Sequence, residues 1–413
     1  MSYLCRLQCP RCGRAYPHGT TIFCADCFTP LEIAYDLPAI RRRLTRSVLA
    51  DRPLDMWRYR ELLPVEEDTP TDLPVGFTPL LPAETLGRRL GSQRLLLKND
   101  SACFPTLSFK DRVVAVALAA ARSFGLRVVG CASTGNLANA VAAQAARLGL
   151  EAWILVPADL EPAKLLATAV FGARLVRVDG TYDQVNRLCA EIADRHQWGL
   201  VNVNLRAYYA EGSKTVGFEI AEQMGWQLPD NVVVPMAGGA QISRIAKSFQ
   251  ELVALGLVPD HPVRFFGAQA AGCAPIASAA ISSRLELVPV RPRTICHSLA
   301  IGDPADGHRA LRVIRESGGF AATATDDEIV QGMQVLAGTE GIFGETAAGV
   351  TVAGAAKLLA DGRIAPDETT VLCVTGNGLK TTDALSDRLD LGPLVQPRID
   401  EFEALYADRA VAV

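Results

Sequence analysis

The chain has 413 residues, of which 49% are apolar, and its formal net charge at pH 7 is -4. This length predicts two packed lobes and a small accessory module rather than a single core. Because the balance of charge is slightly acidic and no dense Lys/Arg run occurs, we expect no nucleic-acid partner.

The first segment, residues 1–36, contains two close pairs of cysteines that are separated by eleven residues. Two such pairs can place four thiolates around one tetrahedral Zn²⁺, and four protein ligands leave no open position, so we predict a structural zinc ribbon. Iron in the same geometry is the minor alternative. Two disulfides would require an oxidising compartment. The candidate ligands are Cys9, Cys12, Cys24 and Cys27.

The other cysteines stand singly among apolar neighbours, which is typical of reduced thiols. The amino terminus lacks a charged segment followed by an apolar one, and the apolar run Val113–Ala121 is too short to cross a bilayer. We therefore expect a cytoplasmic protein without a membrane partner.

Residues 37–92 form the next segment, which is rich in proline and charge and is interpreted as an arm or linker packing on the larger lobe. From residue 93 onward, short apolar runs alternate with Ala-rich amphipathic patterns, which predicts an α/β protein with doubly wound parallel sheets. The predicted strands are Arg94–Lys98, Arg127–Ala132, Ala152–Val156, Arg174–Val178, Val232–Pro235, Val263–Ala268 and Val371–Thr375. The predicted helices are Asp111–Phe124, Leu137–Leu148, Tyr182–Arg195, Gly212–Met224 and Ile242–Leu255, with a closing helix within residues 391–413.

A lysine opens the first of these helices. Lys110 follows Phe109 and is one of seven lysines in the chain. Partial burial near a helix N-terminus disfavours the charged amine, which suits a lysine that forms a Schiff base. A structural ion pair with Asp111 is the alternative when this motif is considered alone.

Three further motifs lie where a predicted strand ends and a helix or a turn begins. In Ala132-Ser-Thr-Gly-Asn136, the backbone N–H groups at a helix start could bind a carboxylate, although an ordinary N-cap has the same residues. The glycines of Pro235-Met-Ala-Gly-Gly-Ala-Gln241 could let the backbone cradle a phosphate, or serve a tight turn. In Val374-Thr-Gly-Asn-Gly378, a hydroxyl could hydrogen-bond a ring nitrogen, or the segment could be a plain turn.

Together, in this order, the four motifs resemble the fold type II pyridoxal-phosphate enzymes of the tryptophan synthase beta-like family, and among them the threonine synthases. Three further stretches strengthen the resemblance: Val201–Arg206, Tyr209–Thr215 and Gly341–Thr346. The resemblance covers nearly the whole chain, and zinc ribbons also precede some of these relatives. It implies a large lobe of residues 93–125 and 205–390, a small mobile lobe of residues 126–204, and a homodimer.

The resemblance also implies roles for single residues, and a reaction. Lys110 matches the catalytic lysine that holds pyridoxal 5'-phosphate, and the cofactor-binding positions are Asn136, Gly238, Gly239, Ala240, Gln241 and Thr375. The candidates for binding the substrate carboxylate or phosphate are Ser108, Ser133, Thr134, Asn204 and Arg206. The implied enzyme is a carbon–oxygen lyase acting on a phosphate, which converts O-phospho-L-homoserine and water to L-threonine and phosphate.

Three departures from the commoner family pattern keep alternatives open. Leu107 stands where Gly is common, Leu137 replaces a hydroxyl residue of one branch, and the phosphate loop has few side-chain donors. One alternative is a paralogue that performs a β- or γ-replacement on another O-activated amino acid such as O-phosphoserine. A non-catalytic binding protein would not need Lys110. A dinucleotide site is set aside because the chain has no G-x-G-x-x-G run.

Overall fold

A computed structural model describes residues 5–66, 73–133, 135–158, 162–180 and 182–410. The strands are β1 (Cys5–Gln8), β2 (Ala15–Tyr16), β3 (Glu32–Tyr35), β4 (Leu80–Pro82), β5 (Leu95–Asn99), β6 (Val128–Ala132), β7 (Glu151–Pro157), β8 (Arg174–Val178), β9 (Gly199–Leu200), β10 (Asn231–Pro235), β11 (Arg264–Ala270), β12 (Ala321–Ala324) and β13 (Thr370–Val374).

The α-helices are α1 (Leu37–Arg41), α2 (Arg46–Ala50), α3 (Glu84–Leu90), α4 (Lys110–Ser123), α5 (Asn136–Leu148), α6 (Pro162–Ala169), α7 (Tyr182–His196), α8 (Arg206–Gly212), α9 (Lys214–Gln223), α10 (Ala240–Leu255), α11 (Pro275–Ile281), α12 (Gly307–Glu316), α13 (Asp326–Glu340), α14 (Thr346–Ala360) and α15 (Ile399–Ala410). Short 3-10 helices cover Met56–Leu62, Asp100–Ala102, His297–Leu299, Gly378–Lys380 and Thr382–Leu385. In the described part of the chain, no helix is both long and apolar enough to cross a membrane.

The amino-terminal module is a small antiparallel sheet with strand order β2-β1-β3. Leu7 and Ile33 pair across β1 and β3 and are both buried, because alternate residues of each strand point to the same face. This buried face belongs to a large hydrophobic cluster that also contains residues of β6, β7 and β10.

The larger sheet has six strands in the order β12-β11-β10-β13-β5-β4. All its neighbouring strands run parallel except β4, which pairs antiparallel with β5 at one edge. The predicted parallel sheet is therefore confirmed, and β4, which was not predicted, adds one antiparallel strand at its edge. Pro82 in β4 has no backbone N–H to donate, and an edge strand tolerates that loss.

The smaller sheet has four parallel strands in the order β8-β7-β6-β9. Its strands all lie between Val128 and Leu200, inside the segment expected to form the small lobe. The domain boundaries drawn from the sequence remain predictions.

Two helical segments differ from the sequence-based expectation. The helix expected over Gly212–Met224 is α9, which begins two residues later, at Lys214, because Gly212 is the last residue of the separate helix α8. A methyl group on Gly212 would lie 2.6 Å from the carbonyl oxygen of Arg112, so glycine lets α8 lie directly against α4. The closing helix begins only at Ile399, and its apolar side chains Ile399 and Phe402 are exposed.

A buried ion-pair network holds the start of α4. The guanidinium of Arg112 is fully buried and donates to both carboxylate oxygens of Asp100 at 2.8 Å and to Oε2 of Glu219 at 2.8 Å. Lys98 also pairs with Glu219, at 2.7 Å. Burial acts to raise the pKa of Glu219, but the charges of Arg112 and Lys98 outweigh burial and hold this pKa at about 2. Each buried charge thus has a partner, as a low-dielectric interior requires.

We predict that Arg112→Met lowers the free energy of unfolding by about 3–5 kcal/mol, because it leaves two buried carboxylates without their main cation. The matched control is Arg174→Met, whose ion pair with Glu151 is exposed, and it should cost less than about 1 kcal/mol. Urea denaturation followed by circular dichroism measures both. Equal losses in the two variants would contradict the prediction.

Candidate active site

Lys110 begins α4 directly after a loop that is tied to the segment following β13. The backbone N–H of Phe109 donates to the carbonyl oxygen of Thr375 at 2.8 Å, and the N–H of Asn377 donates to the carbonyl oxygen of Leu107 at 3.1 Å. Two motifs far apart in the sequence, the Lys110 loop and the Thr375 turn, are therefore held side by side by the backbone itself.

The backbone of the Lys110 loop explains why glycine is the commoner residue at position 107. Leu107 has a φ of 60°, in the left-handed region where glycine is at ease and a leucine costs about 1 kcal/mol. Glycine is therefore the residue that this conformation favours. The carboxylate of Asp111 supports the loop by accepting hydrogen bonds from the backbone N–H (3.0 Å) and the hydroxyl (2.7 Å) of Thr106. Burial raises the pKa of the Asp111 carboxyl to about 6, although the hydrogen bonds from Thr106 oppose this shift.

Beside the lysine loop, a cluster of polar side chains is centred on Glu345, a buried residue directly before α14. Its carboxylate accepts from the amide nitrogen of Asn136 at 2.7 Å and from the hydroxyl of Thr375 at 3.0 Å. The amide oxygen of Asn136 accepts from Nζ of Lys380 at 3.0 Å. Burial lowers the pKa of Lys380, although the carboxylates of Asp111 and Glu345 oppose this shift. The start of α5 is thus joined to the turn after β13.

The glycine loop leads from β10 into α10. Gly239 has a φ of 87° and stands at the N-cap of α10, so the first N–H groups of this helix face outward. A methyl group on Gly239 would lie 2.9 Å from the carbonyl oxygen of Asp306, whereas one on Gly238 would meet nothing within 4 Å. Ala240 and Gln241 form the first turn of α10. The loop is therefore packed on one side and open on the other.

The candidate substrate residues are placed unequally. Ser108 is buried, and its hydroxyl has no hydrogen-bond partner among the described residues, so it remains available to a ligand. Ser133 precedes α5 and is half-buried. Arg206 pairs with Asp306 at 2.7 Å, and the N–H of Asp306 in turn donates to the carbonyl oxygen of Gly238 at 3.0 Å. Thr134 lies outside the described residues.

Asn204 is the candidate that the structure does not bring to this cluster. Its amide oxygen accepts from the N–H of Leu200 at 2.8 Å, and its amide nitrogen donates to the carbonyl oxygen of Trp198 at 2.8 Å. The side chain also lines a cavity with His18 and Phe124. In this conformation Asn204 braces the turn after β9 rather than facing Lys110.

Sequence reasoning missed three residues of the site. Glu345 and Tyr209 lie in stretches that were noted only for their resemblance, and Lys380 follows Thr375 by five residues. Nζ of Lys110 donates to the hydroxyl oxygen of Tyr209 at 3.0 Å. The usable signals were the scarcity of lysine and an acidic residue just before an apolar helix. Neither signal identifies a partner, because the contacts span long stretches of chain.

The cysteine pairs form a compact cluster at the tip of the amino-terminal sheet. The four Sγ atoms of Cys9, Cys12, Cys24 and Cys27 all lie within 4.8 Å of one another, and a Zn²⁺ with four thiolates needs separations of about 3.8 Å. Each pair forms the same tight turn, in which the N–H of Gly13 donates to the carbonyl of Cys9 and the N–H of Phe28 to that of Cys24, both at 3.0 Å. These residues could hold one metal ion.

Known proteins that are similar to this chain indicate the same family as the motifs around Lys110. The family described as "Pyridoxal-phosphate dependent enzyme" matches residues 71–376. The threonine synthase of Methanocaldococcus jannaschii is 38% identical over 380 residues, which cover 91% of this chain and 93% of that protein. The threonine synthase of Methanosarcina acetivorans is 34% identical over 97% of this chain and 98% of its own length.

Solved structures share the fold. A fungal L-serine ammonia-lyase from Rhizomucor miehei superposes with a TM-score of 0.64 at 20% identity, covering 75% of this chain and 96% of that one. Threonine deaminase isoform 2 from Solanum lycopersicum gives a TM-score of 0.61 at 22% identity, covering 74% of this chain and 82% of that one. The structural likeness confirms the predicted α/β fold, and the sequence relatives identify the branch. The chain belongs to the pyridoxal-phosphate dependent enzyme family and, within it, to the threonine synthases.

Proposed function

We propose that the chain converts O-phospho-L-homoserine and water to L-threonine and phosphate, with pyridoxal 5'-phosphate held on Lys110. The observation that carries this proposal is the convergence of the motifs at strand ends. The Lys110 loop is hydrogen-bonded to the Thr375 turn, and Glu345 joins that turn to Asn136. The relatives that are named threonine synthases support the choice of reaction.

The side chains of the site fit the cofactor. Lys110 offers an amine, Gly238, Gly239, Ala240 and Gln241 offer a glycine-rich helix start for the phosphate, and the Thr375 hydroxyl can face a ring nitrogen. The buried, unpartnered hydroxyl of Ser108 leaves a donor for a ligand. When bound, the cofactor supplies an electron sink for the substrate α-carbon.

The other residues of the site would remove the substrate α-proton and bind the substrate carboxylate and phosphate. Lys110 removes the α-proton, for which it must be neutral and close to the substrate. Ser133, Thr134 and the N-terminus of α5 bind the substrate carboxylate. Arg206 and Ser108 bind the leaving phosphate, since a guanidinium can donate two parallel hydrogen bonds to phosphate oxygens. Asn204 could take part only if its side chain turns away from the backbone of Leu200 and Trp198.

The amino-terminal cysteine cluster is the proposed metal site. We assign Zn²⁺ to Cys9, Cys12, Cys24 and Cys27 as a structural ion, because four thiolates form a closed tetrahedral site. None of the eleven cysteines forms a disulfide, and the seven outside the cluster are buried, which agrees with a reducing cytoplasm as the site of action. A homodimer is proposed from the resemblance to the family.

The first prediction concerns Lys110. Lys110→Ala should abolish both the visible absorption of the lysine-bound cofactor and the formation of threonine and phosphate, because it removes the amine that holds the cofactor and takes the α-proton. The control is Lys357→Ala, which removes a half-exposed lysine paired with Glu328 and should keep both signals. A Lys110-dependent absorption without threonine would move the function to a replacement reaction on another amino acid such as O-phosphoserine. No absorption in cofactor-supplemented wild type would overturn the assignment.

The second prediction concerns the glycine loop. Gly239→Ala should weaken cofactor binding by at least about tenfold, because the added methyl pushes the loop away from Asp306 and Ala310. Gly91→Ala is the matched control, since Gly91 has a φ of 80° but open space around it. Both variants carry the same backbone penalty of about 1 kcal/mol. Titration of the cofactor-free proteins with pyridoxal 5'-phosphate measures the difference, and equal affinities would refute the role of the loop.

The third prediction concerns the metal. The purified protein should contain about one Zn²⁺ per chain, and Cys12→Ser should lose it and unfold at a lower temperature, since a structural ion stabilises the folded module. Cys5→Ser is the control, because Cys5 lies in the same small sheet but outside the cluster. Elemental analysis of the purified proteins provides the measurement. Stoichiometric iron would replace zinc in the assignment, and absence of any metal from protein made in zinc-supplemented medium would remove it.

A further inference from the structure

Helix α8 carries two adjacent tyrosines with different surroundings. The hydroxyl of Tyr209 accepts a hydrogen bond from Nζ of Lys110 at 3.0 Å. The hydroxyl of Tyr208 is directed to the amino-terminal module, where it accepts from the N–H of Gly19 at 3.0 Å and donates to the carbonyl oxygen of Gly19 at 3.1 Å. One residue of the pair contacts the catalytic lysine and the other does not.

Contacts on two sides fix the position of α8, and they therefore also fix the position of the Tyr209 hydroxyl next to Lys110. On one side, Gly212 allows the helix to lie against the backbone of α4, at whose start Lys110 stands. On the other side, Glu211 is fully buried and accepts from the hydroxyl of Tyr35 at 2.9 Å. Glu211 also pairs with Lys214 at 2.8 Å, an interaction that a buried carboxylate needs in order to stay charged.

We propose that Tyr209 is the positioning residue of Lys110, an inference that rests on the proposed function of Lys110 as the base. The hydroxyl oxygen of Tyr209 accepts one N–H of the free lysine amine and so directs its lone pair toward the substrate. The contact of its hydroxyl with Nζ assigns Tyr209 this role.

In this step the α-proton of the substrate is transferred to Lys110. The C–H bond at the substrate α-carbon breaks, its electron pair remains with the substrate, and a new N–H bond forms on Nζ of Lys110. The resulting ammonium keeps its hydrogen bond to the Tyr209 oxygen, which stabilises the charge in a partly buried site. The proton stays on Lys110 until it returns to the substrate, and Tyr209 neither gains nor loses one.

The test compares Tyr209→Phe with Tyr208→Phe in the cofactor-loaded, full-length enzyme. Each change removes one hydroxyl from the same helix, but only the first removes the contact with Lys110. We expect Tyr209→Phe to lower kcat by about 10- to 100-fold with little change in KM, because the amine is misdirected after the substrate has bound. The kinetic isotope effect with α-deuterated O-phospho-L-homoserine should rise, since proton removal becomes slower than the other steps. Tyr208→Phe should keep the wild-type isotope effect.

A second readout does not depend on turnover. The pH at which the visible absorption of the lysine-bound cofactor titrates should shift in Tyr209→Phe and stay in place in Tyr208→Phe, because only the first change alters the surroundings of Nζ. A purely structural role for Tyr209 would lower the unfolding temperature without moving this titration. Wild-type kcat, isotope effect and titration in Tyr209→Phe would overturn the inference.

The outcomes separate this inference from the proposed function. If the wild type forms no threonine and phosphate, the proposed reaction fails, and the titration of the cofactor absorption alone decides whether Tyr209 positions Lys110. If Tyr209→Phe does not fold, 3-fluorotyrosine at position 209 retains the shape and the hydroxyl while making that hydroxyl more acidic. A shifted titration in that protein supports the inference, and an unchanged one overturns it.

Discussion

The buried pairing of Arg112 with Asp100 and Glu219 is the interaction on which the placement of the site depends. Asp100 directly follows β5, Arg112 lies in the first turn of α4, and Glu219 lies in α9, so one guanidinium joins three elements of the fold. The cost of removing these charges from water is offset only when every partner is in place. Lys110 stands two residues before Arg112 and is therefore fixed by the same network.

A second buried network extends this constraint to the amino-terminal module. Glu211 in α8 meets Tyr35 of β3 as well as Arg244 and Lys247 of α10. The module therefore contacts the helix that carries Tyr209 without contributing a described side chain to the polar cluster around Glu345. Its contribution to the site is indirect, because Tyr35 of the module contacts α8 and α8 packs on α4.

What the sequence allowed us to predict follows from how local each signal is. Lys110, Asn136, Gly239 and Thr375 lie in short motifs at strand ends, and the parallel sheets bring such ends together. Seven strands were recognised because each contains large apolar residues in a short run, whereas β12 (Ala-Ala-Thr-Ala) has no large apolar residue and was missed. The helix expected over Gly212–Met224 matches α9 to within two residues at its start, whereas the preceding helix α8 was not predicted.

The partners of the site could not be predicted for the same physical reason. Glu345 binds two residues that lie 209 and 30 positions away, and no pattern within its own segment encodes either distance. Asn204 shows the converse, since its residue type suited a phosphate ligand but its amide is engaged by the backbone of its own turn. Residue chemistry suggests a capability, and tertiary contacts decide whether it is used.

The same division explains why the family is easier to infer than the substrate. The cofactor elements depend largely on backbone geometry, and this geometry survives a change of side chain. Leu107 keeps a left-handed φ of 60° and its carbonyl still accepts from Asn377 at 3.1 Å, so the loop holds its course with leucine in place of glycine. What the substitution changes is an exposed apolar side chain directly before Ser108. Variation of this kind alters what the substrate meets while leaving the support of Lys110 intact, and selectivity among phosphorylated amino acids should therefore reside in such side chains.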